Sequence, residues 1–125
     1  RRSFFSAVPF FPLTLRDMIT AADTKPAERV RWGIVGLGDV CRKKSGPPFY
    51  KCSNSELVAA CRRTPGAAAA FARTVPGGTC TGYDDLDAFL SHPGLDAVYV
   101  ATPPGSHLEV ARRVAAAGKH AYVEK

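Results

Sequence analysis

The stretch RVRWGIVGLGDV, residues 29–40, decides how the rest of the chain is read. Its first half alternates apolar and polar side chains, then runs into Trp32-Gly33-Ile34-Val35, the pattern of an interior strand in a parallel sheet. Gly36-Leu37-Gly38 follows at once. A G-x-G turn at the end of such a strand lets the backbone pass close to a pyrophosphate, whose charge is met by amide N–H groups at the start of the next helix. The third position of the G-x-G-x-x-G pattern falls on Cys41, small but not glycine. Two glycines alone fit an ordinary tight turn equally well, so the remaining elements must decide between the two readings.

Working downstream, the pattern predicts a first helix from Asp39 to Lys44, interrupted at Ser45-Gly46-Pro47-Pro48. Proline lacks an N–H and disfavours helical backbone in the residue before it, so a break and a second short helix through Lys51 are expected. A strand over Leu57–Cys61 is followed by Arg62-Arg63. Thr64 is then the expected N-cap, Pro65 the first residue of an alanine-rich helix to Thr74, and Pro76-Gly77-Gly78 its stop. A weaker strand over Thr79–Tyr83 leads to a helix from Asp84 to Ser91, whose acids suit its positive end. Asp96–Ala101 forms another buried strand, ending in Thr102-Pro103-Pro104-Gly105. Ser106 and Glu109 have capping-box spacing, opening a helix to Ala117 with Gly118 as its stop. A last strand, His120–Val123, ends in Glu124-Lys125. Strand and helix alternate throughout, and right-handed crossovers turn that alternation into an α/β doubly wound parallel sheet. In such a sheet ligands bind beyond the carboxyl ends of the strands, where strand order reverses. The glycine turn, Arg62-Arg63, Thr102-Pro103 with His107, and Glu124-Lys125 should therefore converge.

Composition bounds the rest. The length of 125 residues suits a single domain. The net charge of +6 invites a nucleic-acid partner, but the cations are scattered in ones and twos, without a basic stripe interleaved with aromatics, and no nucleic-acid partner is expected. The four cysteines form no CxxC pair and have no histidines at zinc-ligand spacing, so they are read as reduced thiols and no metal site is expected. No apolar run approaches the roughly 18 to 20 residues that span a bilayer, and no membrane partner is expected. Residues 1–29 differ from the rest. Their basic, aromatic start marks an N-terminal extension that is expected to be disordered. Residues 1–17 fit an organelle-targeting segment as well as they fit sequence lying ahead of a native start at Met18. Without targeting, the expected compartment is the cytoplasm.

WGIVGLGDV, LVAACRRTPGAAAAFA, LDAVYVATPPGSH and AAAGKHAYVEK, in this order and spacing, resemble the nucleotide-binding half of the Gfo/Idh/MocA family of NAD(P)-dependent sugar and polyol oxidoreductases. The resemblance covers about residues 30–125 and is carried by the combination of G-x-G, ATPP-x-S-H and a helix ending in AAGKH before EK. It implies a Rossmann-type domain over 30–125. It also implies a further α+β domain, beyond Lys125, that binds a sugar or polyol and mediates any homo-oligomer, so these 125 residues alone should turn over nothing. It implies that Gly36, Leu37, Gly38, Asp39 and Val40 hold the pyrophosphate and adenosine side. Thr102, Pro103 and His107 would border the nicotinamide ribose, Glu124 would touch the ribose, and Lys125 would be the catalytic lysine. Cys41 and the break at Gly46-Pro47-Pro48 depart from the family pattern.

Charge separates the two nicotinamide cofactors. Sites preferring NAD place an acid after the second strand, where it accepts from the ribose diol and repels the extra phosphate of NADP. Arg62 stands there with Arg63 beside it, so NADP is the expected cofactor and NAD the less favoured one. Other classes fit less well. Tyr122 and Lys125 are three apart on a strand, whereas a short-chain dehydrogenase carries its tyrosine and lysine four apart on a helix. A methyltransferase usually carries an acid where Arg62 stands. A non-catalytic or truncated NADP-binding module is the alternative to an oxidoreductase acting on CH–OH. Taken singly, Arg62-Arg63 is an ordinary solvated pair, His107 a solvated residue at a helix start, and Glu124-Lys125 a polar strand end.

Overall fold

A computed structural model describes residues 29–125; the expectations for residues 1–28 lie outside it. Five strands, β1 (Val30–Val35), β2 (Ser55–Cys61), β3 (Thr81–Tyr83), β4 (Ala97–Val100) and β5 (His120–Val123), pair in parallel in the order β3-β2-β1-β4-β5. The chain moves outward from β1 to β3, crosses back, and moves outward again through β4 to β5. The reversal lies between β1 and β4, as in doubly wound sheets.

Side chains alternate between two apolar layers, one on each face of the sheet. On one face Val35, Cys61, Val98 and Val100 pack with Phe89, Leu90, Val110 and Val114, which come from α3 (Leu86–Leu90) and α4 (His107–Ala116). On the other, Ile34, Leu57, Ala60 and Tyr99 pack with Leu37, Cys41, Ala68 and Phe71 from the glycine turn, a π-helical segment (Cys41–Ser45) and α2 (Ala67–Thr74). The short α1 (Pro48–Lys51) adds Phe49, whose ring centroid lies 4.8 Å from that of Trp32 and 5.0 Å from that of Tyr99. The β1–β2 register slips between Trp32 and Gly33: Trp32 faces Leu57 while Gly33 faces Ala59. Val58 is therefore the extra residue of a bulge, which turns both Val58 and Ala59 toward the first layer.

Several local expectations change. After Asp39 and Val40 the chain widens into a π turn, closed by a 2.6 Å bond from the Gly46 N–H to the Cys41 carbonyl. Pro47 and Pro48 have no N–H to offer, and a Cβ on Gly46 would sit 2.6 Å from that same carbonyl oxygen, so glycine is what lets the turn close. Helix α2 starts at Ala67, not Pro65. Gly66, left-handed at φ +77°, is its N-cap, and Thr64 belongs to the turn ahead of it. Helix α3 is shorter than expected, with Asp85 as N-cap accepting from the Ala88 N–H at 2.9 Å. The capping box at Ser106 does not form. The Ser106 hydroxyl bonds instead to the Pro103 carbonyl at 2.9 Å, within a 3₁₀ turn over Pro104–Ser106.

Candidate functional site

The carboxyl ends of β1, β2, β4 and β5 open onto one groove of about 940 Å³, within the usual size range of small-ligand sites. Gly36 is part of its lining. Its N–H bonds to the Cys61 carbonyl at 3.1 Å, while the Ala101 N–H bonds to the Val35 carbonyl at 2.8 Å, so the turn is tied to both neighbouring strands. Gly36 has φ +94°, and a Cβ there would lie 2.6 Å from the Ala101 carbonyl carbon and 2.7 Å from the Thr102 nitrogen. The fold itself requires this glycine. Gly38 is different. It is not left-handed, and a Cβ on it would meet nothing within 4 Å. Leu37 between them is 2% exposed and anchors the turn in the second apolar layer.

Arg62, at the end of β2, reaches across this turn. Its backbone N–H bonds to the Tyr83 carbonyl at 3.1 Å, and its Nη1 donates to the Leu37 carbonyl at 2.7 Å. Arg63 and Thr64 continue the wall, faced by Asp84 and Asp85 beyond the end of β3. Both acids have partners within the fold: Asp85 caps α3, and Asp84 accepts from the Gly66 N–H at 3.3 Å.

On the far side, Thr102 and Pro103 leave β4 along the groove. The Thr102 hydroxyl oxygen is buried yet has no hydrogen-bond partner, an unusual state for a buried polar atom. His107 donates from Nε2 to the Thr102 carbonyl at 2.5 Å. Its role in the geometry is to hold that segment, and its side chain is not part of the groove wall.

Glu124 leaves β5 with its N–H on the Val100 carbonyl at 2.9 Å. One carboxylate oxygen accepts from the Tyr99 hydroxyl at 2.6 Å and the other from the Lys125 N–H at 3.0 Å. The Tyr99 hydroxyl and that amide hold the Glu124 carboxyl below its ordinary range. Tyr99, buried and facing that carboxylate, is pushed up to about 12. Both Glu124 and Lys125 line the groove.

Gly36, Leu37, Gly38, Arg62 and Arg63 thus share one groove with Thr102, Pro103, Glu124 and Lys125. Asp39 and Val40 do not line it: Asp39 pairs with Arg42, which holds its carboxyl below the ordinary value, and Val40 is 69% exposed. Tyr99 is the neighbour that sequence reasoning passed over, because a tyrosine in a buried strand is indistinguishable from core until its pairing with Glu124 is seen. Thr64, Asp84 and Asp85 were assigned helix-start roles, and only the folded chain brings them to the groove wall. Among the described residues no cluster of His, Cys, Asp and Glu could hold a metal ion. No described helix is long and apolar enough to cross a membrane.

A parallel sheet of this order, with a glycine turn and a groove at its reversal point, is a Rossmann-type dinucleotide-binding domain. The chain belongs to the Gfo/Idh/MocA family: residues 30–125 match the oxidoreductase family described by its NAD-binding Rossmann fold. Oxidoreductase P35 of Formosa agariphila is 43% identical over 97 residues, which are 78% of this chain and 30% of that protein. Among solved structures, KijD10, a 3-ketoreductase from Actinomadura kijaniata in complex with TDP-benzene and NADP, superposes with a TM-score of 0.68 at 31% identity, covering 78% of this chain and 30% of that one. A scyllo-inositol dehydrogenase from Lactobacillus casei with bound NAD(H) and scyllo-inositol gives a TM-score of 0.68 at 28% identity, covering 78% and 28%. The chain therefore spans less than a third of the length of these relatives.

Proposed function

We propose that this chain is the nucleotide-binding part of an NADP-preferring oxidoreductase that acts on the CH–OH group of a sugar or polyol, or on the carbonyl in reverse. The observation that carries the reading is that the glycine turn, the Arg62-Arg63 pair and Lys125, far apart in sequence, line a single groove. Two features fit a dinucleotide there. Gly38 has open space where a side chain would be, so its lack of a Cβ answers no need of the fold and leaves room for a pyrophosphate against the backbone. The partnerless Thr102 hydroxyl, at the exit of β4, supplies a buried polar group for a ribose or an amide. The relatives add weight, since one of the two solved structures holds NADP with TDP-benzene and the other NAD(H) with scyllo-inositol.

When bound, the nicotinamide supplies the hydride acceptor or donor. The chain's own residues do the rest. Gly36, Leu37 and Gly38 seat the pyrophosphate. Arg62 and Arg63 meet the extra phosphate of NADP. Thr102 and Pro103, steadied by His107, border the nicotinamide ribose, and Glu124 touches that ribose. Lys125 handles the proton: as the ammonium it donates to the substrate oxygen when hydride reaches the carbonyl carbon, and as the neutral amine it takes the hydroxyl proton when hydride leaves the C–H bond. The substrate is held by a second domain, for which the greater length of the relatives leaves room.

Titrating NADP and NAD separately into the folded chain tests the cofactor reading. A guanidinium–phosphate contact is worth about 1.5–3 kcal/mol, on the order of a tenfold to hundredfold preference for NADP. Equal or tighter binding of NAD would refute it. In the protein that carries the substrate domain, Lys125→Met should abolish turnover and spare cofactor affinity, and full activity would remove Lys125 from its role.

A further inference from the structure

We infer that Arg62 is a positioning residue for the pyrophosphate turn itself, a role distinct from any contact with the extra phosphate of NADP. The inference rests on the dinucleotide reading of the groove. The Arg62 guanidinium, at the end of β2, donates from Nη1 to the carbonyl of Leu37 at 2.7 Å, spanning 25 positions of sequence to reach the middle of the glycine turn. A trans peptide is planar, with its C=O and N–H on opposite sides. Fixing the Leu37 carbonyl therefore fixes the direction of the next N–H, which belongs to Gly38. That N–H is turned away from the guanidinium and has no backbone partner among the described residues.

Without this contact the peptide would be poorly held. Gly38 has no side chain and no neighbour within 4 Å of its Cβ position, so no side-chain packing at Gly38 helps to hold the Leu37–Gly38 unit. The bond from the Arg42 N–H to the Gly38 carbonyl at 2.9 Å secures the following peptide. The Leu37 side chain secures the preceding Cα by burial. The guanidinium is the clamp on the peptide between them. Arg62 has further N–H donors after this bond, so clamping the turn and meeting an anion are compatible in arginine, whose planar fork offers five donors in fixed directions. Lysine cannot do both. Its compact ammonium can approach the carbonyl or the phosphate, and it lacks the spread to hold each in its own direction.

The two roles separate by comparing cofactors. If Arg62 only meets the extra phosphate, Arg62→Met weakens NADP and leaves NAD unchanged. If it clamps the turn, Arg62→Met weakens both, NAD by about tenfold, the loss expected when a charge-assisted bond that orders a ligand-binding peptide is removed. Arg73→Met is the matched control. That control removes the same charge from an exposed position on α2, outside the groove wall and without a bond to the turn, and NAD affinity should change less than twofold. Arg62→Lys keeps the charge and should still weaken NAD, and it serves the same purpose should Arg62→Met fail to fold. The amide resonance of Gly38 in the ligand-free chain gives a second reading, and it should shift or broaden in Arg62→Met but not in Arg73→Met. NAD affinity and a Gly38 resonance unchanged in both Arg62 variants would overturn the clamp and leave the dinucleotide reading intact. A chain that binds neither cofactor while its Gly38 resonance responds to Arg62 would overturn the dinucleotide reading and keep the clamp.

Discussion

Replacing Gly36 and Gly38 separately by alanine should split the demands of the fold from those of the ligand. In Gly36→Ala the new methyl meets the Ala101 carbonyl carbon at 2.6 Å and the Thr102 nitrogen at 2.7 Å, backbone atoms of the neighbouring strand exit that cannot swing aside. The backbone must also hold alanine at φ +94°. The left-handed conformation costs roughly 1–2 kcal/mol for a residue with a Cβ, and overpacking against fixed atoms about 1–3 kcal/mol more. The total of about 2–5 kcal/mol is a large share of the stability of a small domain and should lower its Tm by at least about 10 °C. In Gly38→Ala the methyl enters open space at an ordinary backbone conformation. Stability should hold within about 1 kcal/mol and tend upward, because alanine restricts the unfolded chain more than glycine does. Cofactor affinity should nevertheless fall by about tenfold or more, ~1.4 kcal/mol, because the methyl fills the place proposed for the pyrophosphate. Thermal unfolding followed by circular dichroism, with cofactor titration of each folded variant, reads both quantities. A Gly38→Ala chain that binds NADP as tightly as the parent would refute the placement of the pyrophosphate. A Gly36→Ala chain of unchanged stability would refute the packing at the β1–β4 reversal.

Thiol chemistry gives a further check. Burial raises the Cys41 thiol, pushes Cys61 up to about 11 and Cys80 up to about 12, whereas Cys52 is exposed. A disulfide reagent at pH 8 should modify one thiol of the folded chain quickly and all four only in denaturant; two or more fast thiols would contradict the burial described. His92 predicts a pH dependence. Its Nδ1 pairs with the Tyr83 hydroxyl at 2.7 Å, and burial lowers its pKa below that of the unfolded chain. The unfolded state then binds the proton first, so the stabilisation is complete above about pH 6.5 and is lost as pH falls through the folded value. Urea unfolding of the parent should lose more stability between pH 7.5 and 5 than that of His92→Gln, and equal losses would exclude His92 as the source.

Local pattern alone was enough to mark the alternation of strands and helices, the glycine turn, the break at Gly46-Pro47 and the four strand-end tails, because each depends on neighbours within a few positions. The family resemblance rested on the same short motifs. Helix starts were less legible. Thr64 and Ser106 are both competent caps, but a side chain that can cap a helix can also bond within a turn, and the surrounding chain decides which. Gly66 took the cap because its left-handed backbone turns the chain into α2 beside β3. There Gly82 leaves no room for a side chain, since a Cβ on it would lie 2.3 Å from the Ala68 backbone.

What residue order determined by itself was the type of fold and the identity of the groups at the ends of the strands. Which of those groups share a face depended on strand pairing. Parallel registration of β4 with β5 places Tyr99 opposite Tyr122, with its hydroxyl on the Glu124 carboxylate. Pairing of β2 with β1 puts Arg62 within reach of the Leu37 carbonyl, and the second core layer fills with Leu37 and with Cys41, which stands where the fingerprint has its third glycine. These contacts join residues about 25 positions apart, as Arg62 is from Leu37 and Glu124 from Tyr99. No local periodicity encodes such a meeting, because it depends on how far each strand slides along its neighbour before the two apolar layers close.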